Sequence, residues 1–198
     1  MYEEEIVRAG YNQIGSSYNE MRNREKNNLE LDYFVNLLPL HGHVLDAGCG
    51  AGEPVAKYLV EHEFQVTGID VSPKILEIAK KQVPGATFLE GDMTRLTFPD
   101  QFFDGVVSLY AIWHISRQNH CLVLKNFYRV LKPNGILFFN TGVHPMDGIN
   151  NFLGAKMYWS SPKPEKTLQL VKSAGFEIIR DEVLIRGGET QYWVFARK

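Results

Sequence analysis

From residue 42 onward the chain alternates between short, almost wholly apolar runs and stretches in which apolar residues recur every three or four positions. That alternation predicts repeated βα units around a parallel sheet, an α/β fold. The apolar runs place strands over 43–47 (HVLDA), 65–70 (QVTGID), 86–91 (ATFLEG), 103–109 (FDGVVSL) and 136–141 (ILFFNT). They are apolar on both faces, as buried parallel strands are. Helices fall between them over 53–61, 73–83 and 119–131. The second opens on Ser72 as cap with Pro73 in the first turn, where a missing N–H costs nothing. The third closes at LKPNG (131–135), where Pro133 bars continuation and Asn134-Gly135 turns into the next strand.

The two ends follow other patterns. Residues 142–163 mix turn and aromatic character, with Phe152, Met157, Tyr158 and Trp159; a helix follows over 165–174. FEIIRDEVLI and TQYWVFAR, separated by a turn containing Gly187-Gly188, then read as an antiparallel hairpin closing the sheet. Residues before 42 read as one or two helices carrying tyrosines, with Tyr11 and Tyr18 seven apart and so on one helix face. No repeat, low-complexity stretch or linker divides the 198 residues, which predicts a single domain: an N-terminal helical lid (1–41), a core (42–141), and a wall with closing hairpin (142–198).

Composition narrows the function classes. A formal net charge of -2 with scattered basic residues offers no cationic stripe for a nucleic acid. Cys49 sits in a glycine-rich turn and Cys121 in a helix, so neither a disulfide framework nor a CxxC metal site can be built from them. His120 and His144 lack partners at ligand spacing, and no metal is expected. The acidic start, MYEEEIVRAG, is unlike a signal peptide, and the apolar runs fall far short of the ~18 residues of a membrane helix. A soluble, cytoplasmic protein is the expectation.

The chemistry concentrates in VLDAGCGAGEP, residues 44–54. A strand running through glycines into a helix presents free N–H groups and a positive dipole end to a ligand; a tight strand-to-helix crossing needs glycines for steric reasons as well. Gly48, Gly50 and Gly52 give G-x-G-x-G rather than the dinucleotide pattern G-x-G-x-x-G, and Glu53 stands where the third glycine would fall and would repel a pyrophosphate. The second strand ends at Asp70, where Rossmann-type sites bind ribose hydroxyls, although an aspartate there serves equally as a helix cap. Asp92 follows the third strand, so three successive strands deliver Asp46, Asp70 and Asp92 to one edge.

In VLDAGCGAG (44–52), VTGIDVS (66–72), LEGDMTRLTFPDQFFDGVVS (89–108) and RVLKPNGILFF (129–139), in that order and spacing, the chain resembles the class I S-adenosylmethionine-dependent methyltransferases of small-molecule type. The resemblance implies a Rossmann-like, doubly wound seven-stranded sheet, mostly parallel with an antiparallel C-terminal hairpin. It implies S-adenosylmethionine as cofactor, with S-adenosylhomocysteine as product and no metal. The loop Asp46, Ala47, Gly48, Cys49, Gly50 and Gly52 would hold the methionine moiety, Asp70 with Val71 the ribose, and Asp92 with Met93 the adenine edge. Leu109 and Tyr18 complete that set, and Tyr11, Tyr110, Trp113 and Trp159 face the acceptor. A cationic sulfonium cofactor without phosphates suits acidic neighbours that would repel a dinucleotide.

Methyl transfer needs alignment more than catalytic groups. One candidate base, His114 in LYAIWHI, follows the fourth strand; its alternative role is a partly buried histidine bonded to backbone. A small-molecule acceptor is the expectation. Nucleic-acid methylation is disfavoured because the same loop has neither the Asp/Asn-Pro-Pro-Tyr form nor a Pro-Cys nucleophile, and because 198 residues leave little room for a target-reading domain. A non-catalytic binder of the cofactor, a partner subunit, or an RNA or protein methyltransferase shares the same motifs. A nicotinamide dehydrogenase is a distant third reading.

Overall fold

The computed structural model describes residues 2–21, 28–186 and 188–198. In chain order the elements are α1 (Tyr2–Met21), α2 (Asn28–Val35), β1 (His43–Ala47), α3 (Val55–Glu61), β2 (Gln65–Asp70), α4 (Pro73–Gln82), β3 (Thr87–Glu90) and β4 (Phe103–Ser108). A 3-10 turn (Ile112–His114) follows, then α5 (His120–Val130), β5 (Leu131–Gly142), β6 (Met146–Phe152), β7 (Ala155–Ser161), α6 (Pro164–Ser173), β8 (Glu177–Arg186) and β9 (Glu189–Arg197).

One seven-stranded sheet runs in the order β3-β2-β1-β4-β5-β9-β8. The first five strands are parallel; β9 enters antiparallel between β5 and β8. This is the doubly wound sheet with antiparallel closing hairpin expected from the sequence. Of the turn expected at Gly187-Gly188, Gly187 lies outside the described residues, as do residues 22–27 of the N-terminal segment.

The period-two alternation of the strands splits the core in two. Leu45, Val106, Leu137, Phe139 and Val194 pack on one face with Val123, Phe127 and Val171 of α5 and α6. Val44, Val107, Phe138, Trp193 and Phe195 pack on the other with Phe34, Leu59 and Leu76 of α2, α3 and α4. Both faces being covered is why these strands carry almost no polar residue. Ser72 caps α4 as expected, its Oγ accepting from Ile75 N at 3.3 Å.

Two differences from the sequence expectation bear on the site. Helix α3 begins at Val55 rather than 53, because Gly50 (φ 52°) and Gly52 (φ 83°) carry the chain through a left-handed turn first. Residues 142–163, expected to mix turn and aromatic character, contain two strands that the sequence reading did not place: β6 and β7 form a separate two-stranded sheet, turning at Leu153 (φ 52°) and Gly154 (φ 86°), the two positive φ values of a tight hairpin turn. That hairpin packs on α1, where Val7, Ile14, Ala155, Met157 and Tyr158 form a third buried cluster. Among the described residues no helix is long and apolar enough to cross a membrane.

Candidate functional site

The parallel strands end under α1. Arg8 Nη2 reaches Glu90 Oε1 at 2.6 Å at the end of β3, and Glu4 Oε2 accepts from Arg95 Nη2 at 2.9 Å. Ser72 Oγ donates to Asn12 Oδ1 at 2.8 Å, and the Tyr11 hydroxyl meets His114 Nε2 at 2.9 Å. Exposed pairs such as the first two contribute little individually; together the four contacts lay one face of α1 across the carboxyl edge of the sheet.

Beneath it lies a cavity that is partly open to solvent. Gly48, Gly50, Asp70, Val71, Asp92, Met93 and Leu109 line it, with Tyr11, Tyr18, Tyr110 and His114. The glycine loop is pinned from below, Gly48 N and Cys49 N both donating to Ile69 O, at 2.8 and 2.9 Å. Asp70 fixes it from the side: Oδ2 accepts from Gly50 N and Oδ1 from Ser72 N, each at 3.0 Å. The two readings of Asp70 are therefore not exclusive, since a carboxylate offers about four lone-pair sites and can serve the backbone and a ligand together. Asp92 is organised likewise, accepting from Thr94 N at 2.8 Å and from Arg95 Nε at 3.0 Å.

Other predicted residues stand behind the cavity. Asp46 is 1% exposed and Ala47 fully buried; neither lines it. Cys49 packs into the core cluster with Phe88, and Gly52 sits where an added Cβ would lie 3.1 Å from Phe88 and Val83. These residues shape the loop from within. Glu53 also faces inward, its Oε1 accepting from Lys57 Nζ at 3.1 Å, so the acids that line the cavity are Glu4, Asp70 and Asp92 instead. No lysine or arginine is among the described residues lining the cavity. The cavity's three carboxylates outnumber the guanidinium of Arg95, which pairs with Glu4 and Asp92 from outside the lining, and the remaining negative charge fits a positively charged adenosyl sulfonium and disfavours a pyrophosphate.

A second space, about 1390 Å³ and open to solvent, adjoins the first, and Tyr11, Tyr18 and Tyr110 line both. Trp113, Trp159 and Phe152 form much of its wall. The rings touch in series: Tyr11 and Tyr18 at 5.4 Å between centroids, Tyr18 and Phe152 at 6.0 Å, Phe152 and Trp159 at 5.5 Å. Tyr110 holds φ at 59°, a conformation costly for an aromatic residue and common at functional sites, with its N–H donating to Asn140 Oδ1 at 2.7 Å.

His114 is buried, and both ring nitrogens are occupied. Nδ1–H donates to the Tyr158 carbonyl at 2.8 Å, which leaves Nε2 to accept from the Tyr11 hydroxyl. Burial, only partly offset by the Tyr158 carbonyl, pulls its pKa from 6.5 down to about 4. The unfolded chain therefore binds the proton more readily between those values. Stability should be full above pH ~6.5 and fall by on the order of 3 kcal/mol as pH drops toward 4. Urea melts of the wild type and of His114→Gln across that window check this: the substitution should flatten the slope, and parallel slopes would contradict the assignment.

Sequence reasoning missed Glu4, Val7, Ile69, Ile75, Gly91, Ala111 and Ile115 in the first cavity, and Glu189, Thr190 and Gln191 in the second. The first two carried a usable signal, because 4, 7, 11 and 18 share one face of α1.

A family model described as a methyltransferase domain matches residues 45–139. An uncharacterised methyltransferase of Synechocystis is 31% identical over 156 residues, covering 75% of this chain and 72% of the relative. A Bacillus subtilis relative, also named as a methyltransferase, is 34% identical over 135 residues, but the chain spans only 54% of its length. Among solved structures, the 1,6-didemethyltoxoflavin-N1-methyltransferase of Burkholderia thailandensis, with 1,6-didemethyltoxoflavin and S-adenosylhomocysteine bound, superposes with a TM-score of 0.78 at 18% identity, over 98% of this chain and 88% of that one. A likeness at that identity speaks for the fold alone. The sheet order, the acid-lined crevice at the carboxyl edge and the sequence relationship to the Synechocystis protein agree: the chain belongs to the class I S-adenosylmethionine-dependent methyltransferases.

Proposed function

We propose that the chain transfers a methyl group from S-adenosylmethionine to a small-molecule acceptor, with the cofactor in the acid-lined cavity and the acceptor in the aromatic one. The observation that carries this reading is the junction: Tyr11, Tyr18 and Tyr110 line both spaces, so a donor in one and an acceptor in the other meet at a ring of tyrosines. S-adenosylmethionine supplies, when bound, an electrophilic methyl already activated on a sulfonium. Asp70 would accept from the ribose hydroxyls, Asp92 and the Met93 backbone would meet the adenine, and the Gly48–Gly50 loop would admit the methionine portion against bare backbone. The aromatic walls would hold the acceptor in line, where alignment can supply ~7 to 11 kcal/mol of the barrier reduction.

His114 serves in this reading as a base acting through Tyr11. With Nε2 engaged by the Tyr11 hydroxyl, a proton leaving the acceptor moves to the Tyr11 oxygen while the tyrosine's own proton moves to Nε2. The lowered pKa keeps the ring neutral at physiological pH while weakening it as a base, so it holds the relayed proton only transiently. Tyr11→Phe should lower turnover at least about tenfold while S-adenosylhomocysteine affinity stays within about threefold, and should cost about 1–3 kcal/mol of stability by leaving Nε2 unpaired. Undiminished turnover in Tyr11→Phe would remove the relay.

The test of the function is transfer of label from methyl-labelled S-adenosylmethionine to a panel of small-molecule acceptors. Transfer supports it; tight cofactor binding without transfer to any acceptor supports the non-catalytic binder instead.

A further inference from the structure

The second cavity has a charge character of its own. Six aromatic side chains, Tyr11, Tyr18, Tyr110, Trp113, Phe152 and Trp159, share its wall with one carboxylate, that of Glu189. Among the described residues lining it there is no lysine or arginine. The indoles of Trp113 and Trp159 lie 5.9 Å apart, and Tyr110 and Trp113 5.7 Å apart. Aromatic faces carry negative potential, and several rings around one space attract a cation.

Glu189 is positioned from the core. The Tyr110 N–H donates to Asn140 Oδ1 at 2.7 Å; Asn140 Nδ2 donates to Gln191 Oε1 at 3.1 Å; Gln191 Nε2 donates to Glu189 Oε2 at 3.0 Å. Asn140 and Gln191 are 0% and 2% exposed. The direction of this chain is forced, since turning the Asn140 amide would set its NH₂ against the Tyr110 N–H, and turning that of Gln191 would set its oxygen against the Glu189 carboxylate. Two buried carboxamides thus aim an otherwise exposed carboxylate along the cavity wall, and the same chain ends at the strained tyrosine of the junction. A glutamate on a hairpin end needs no such support to remain soluble; a ligand-orienting acid does.

We infer that the acceptor carries a cationic nitrogen, an amine or protonated heterocycle on a flat apolar body, with the aromatic rings as its cage and Glu189 as its counter-charge. The inference rests on the assignment of this cavity to the acceptor. It makes the nitrogen a recognition handle and leaves the methylated atom to be defined by what reaches the tyrosine junction. A carboxylate or phosphate in the same position would face Glu189 and the ring faces, with His144 the only basic side chain among the described residues that line the cavity.

Three probes of one shape isolate the charge: tryptamine, 3-methylindole and indole-3-propionate, titrated calorimetrically into the full chain with and without saturating S-adenosylhomocysteine. Tryptamine should bind about tenfold or more tightly than 3-methylindole, with indole-3-propionate weakest. Glu189→Gln should remove about tenfold from the tryptamine affinity and leave 3-methylindole and S-adenosylhomocysteine unchanged. Equal affinities, a preference for the propionate, no binding of any probe, or undiminished tryptamine selectivity in Glu189→Gln would overturn the inference. The two readings fail separately. Amine selectivity without S-adenosylhomocysteine binding removes the cofactor assignment only; S-adenosylhomocysteine binding without amine selectivity removes the cationic acceptor only.

Discussion

Asp70→Ala should weaken S-adenosylhomocysteine binding by at least about 100-fold, the largest effect of any single substitution in the crevice. Asp70 acts both within the protein and toward a ligand. In the protein itself it holds the glycine loop and the start of α4 together, through Gly50 N and Ser72 N. Toward a ligand, it lines the cavity, and each hydrogen bond between a carboxylate and a ribose hydroxyl contributes roughly 1.5–3 kcal/mol. Removal costs the ligand both direct bonds and a preformed loop. Asp70→Asn should be nearly as damaging, because one oxygen becomes an NH₂ that must face Gly50 N or Ser72 N as a second donor. Calorimetric titration gives the affinity, and a melting curve shows whether the loss exceeds the roughly 2 kcal/mol of stability expected from two surrendered backbone bonds. Asp70→Ala that binds within threefold of wild type would mean the crevice grips its ligand elsewhere.

Gly48→Ala should be the most damaging change to stability within the loop. The residue holds φ at 81°, and an added Cβ would lie 2.3 Å from the Cβ of Ala111, a separation that atoms do not tolerate. The left-handed conformation costs an alanine about 1–2 kcal/mol, and relieving the clash requires the loop or the segment after β4 to move. A loss of about 3 kcal/mol or more follows, a melting temperature lower by roughly 6–12 °C in a chain of this size. Ala111→Gly supplies an internal control, because it removes the opposing methyl and not the φ penalty. The pair Gly48→Ala/Ala111→Gly should recover part of the loss, with a coupling of about 1 kcal/mol or more. Additive losses would place the strain entirely in the backbone. Ala111 immediately precedes the turn carrying His114, so the same clash would be expected to disturb the Tyr11 contact and lower activity beyond the loss of folded protein.

The comparison of sequence with structure follows the physics of burial. Strands β1, β2 and β4 were legible because helices cover both their faces, which leaves apolar runs with no competing pattern. The β6–β7 hairpin was not. Its first strand is largely exposed and reads MDGINNF, polar along most of its length, and its second strand is buried only because α1 lies over it. No local pattern encodes a contact made with a helix more than 130 residues away. Within the site, the same distinction holds. Gly48, Gly50, Asp70 and Asp92 are local signals, set by strand ends and turns, and the structure brings them to one cavity. Asp46 gave the same signal and lies behind the loop, because strand-end position alone does not fix which way a side chain is turned. Glu189 and Gln191 were invisible for a different reason. They reach the second cavity only because β9 pairs antiparallel with β5, setting Gln191 opposite Gly142, a long-range register that neither segment specifies alone.

If acids from successive strand ends seat an adenosyl sulfur compound, its sulfur faces the ring of three tyrosines. A crystal structure of the chain grown with S-adenosylhomocysteine decides the matter. Ribose hydroxyls should lie on Asp70, adenine beside Met93, and the sulfur should open toward Tyr11, Tyr18 and Tyr110. The ligand bound outside this crevice, or a crevice that stays empty at saturating concentration, would contradict that placement.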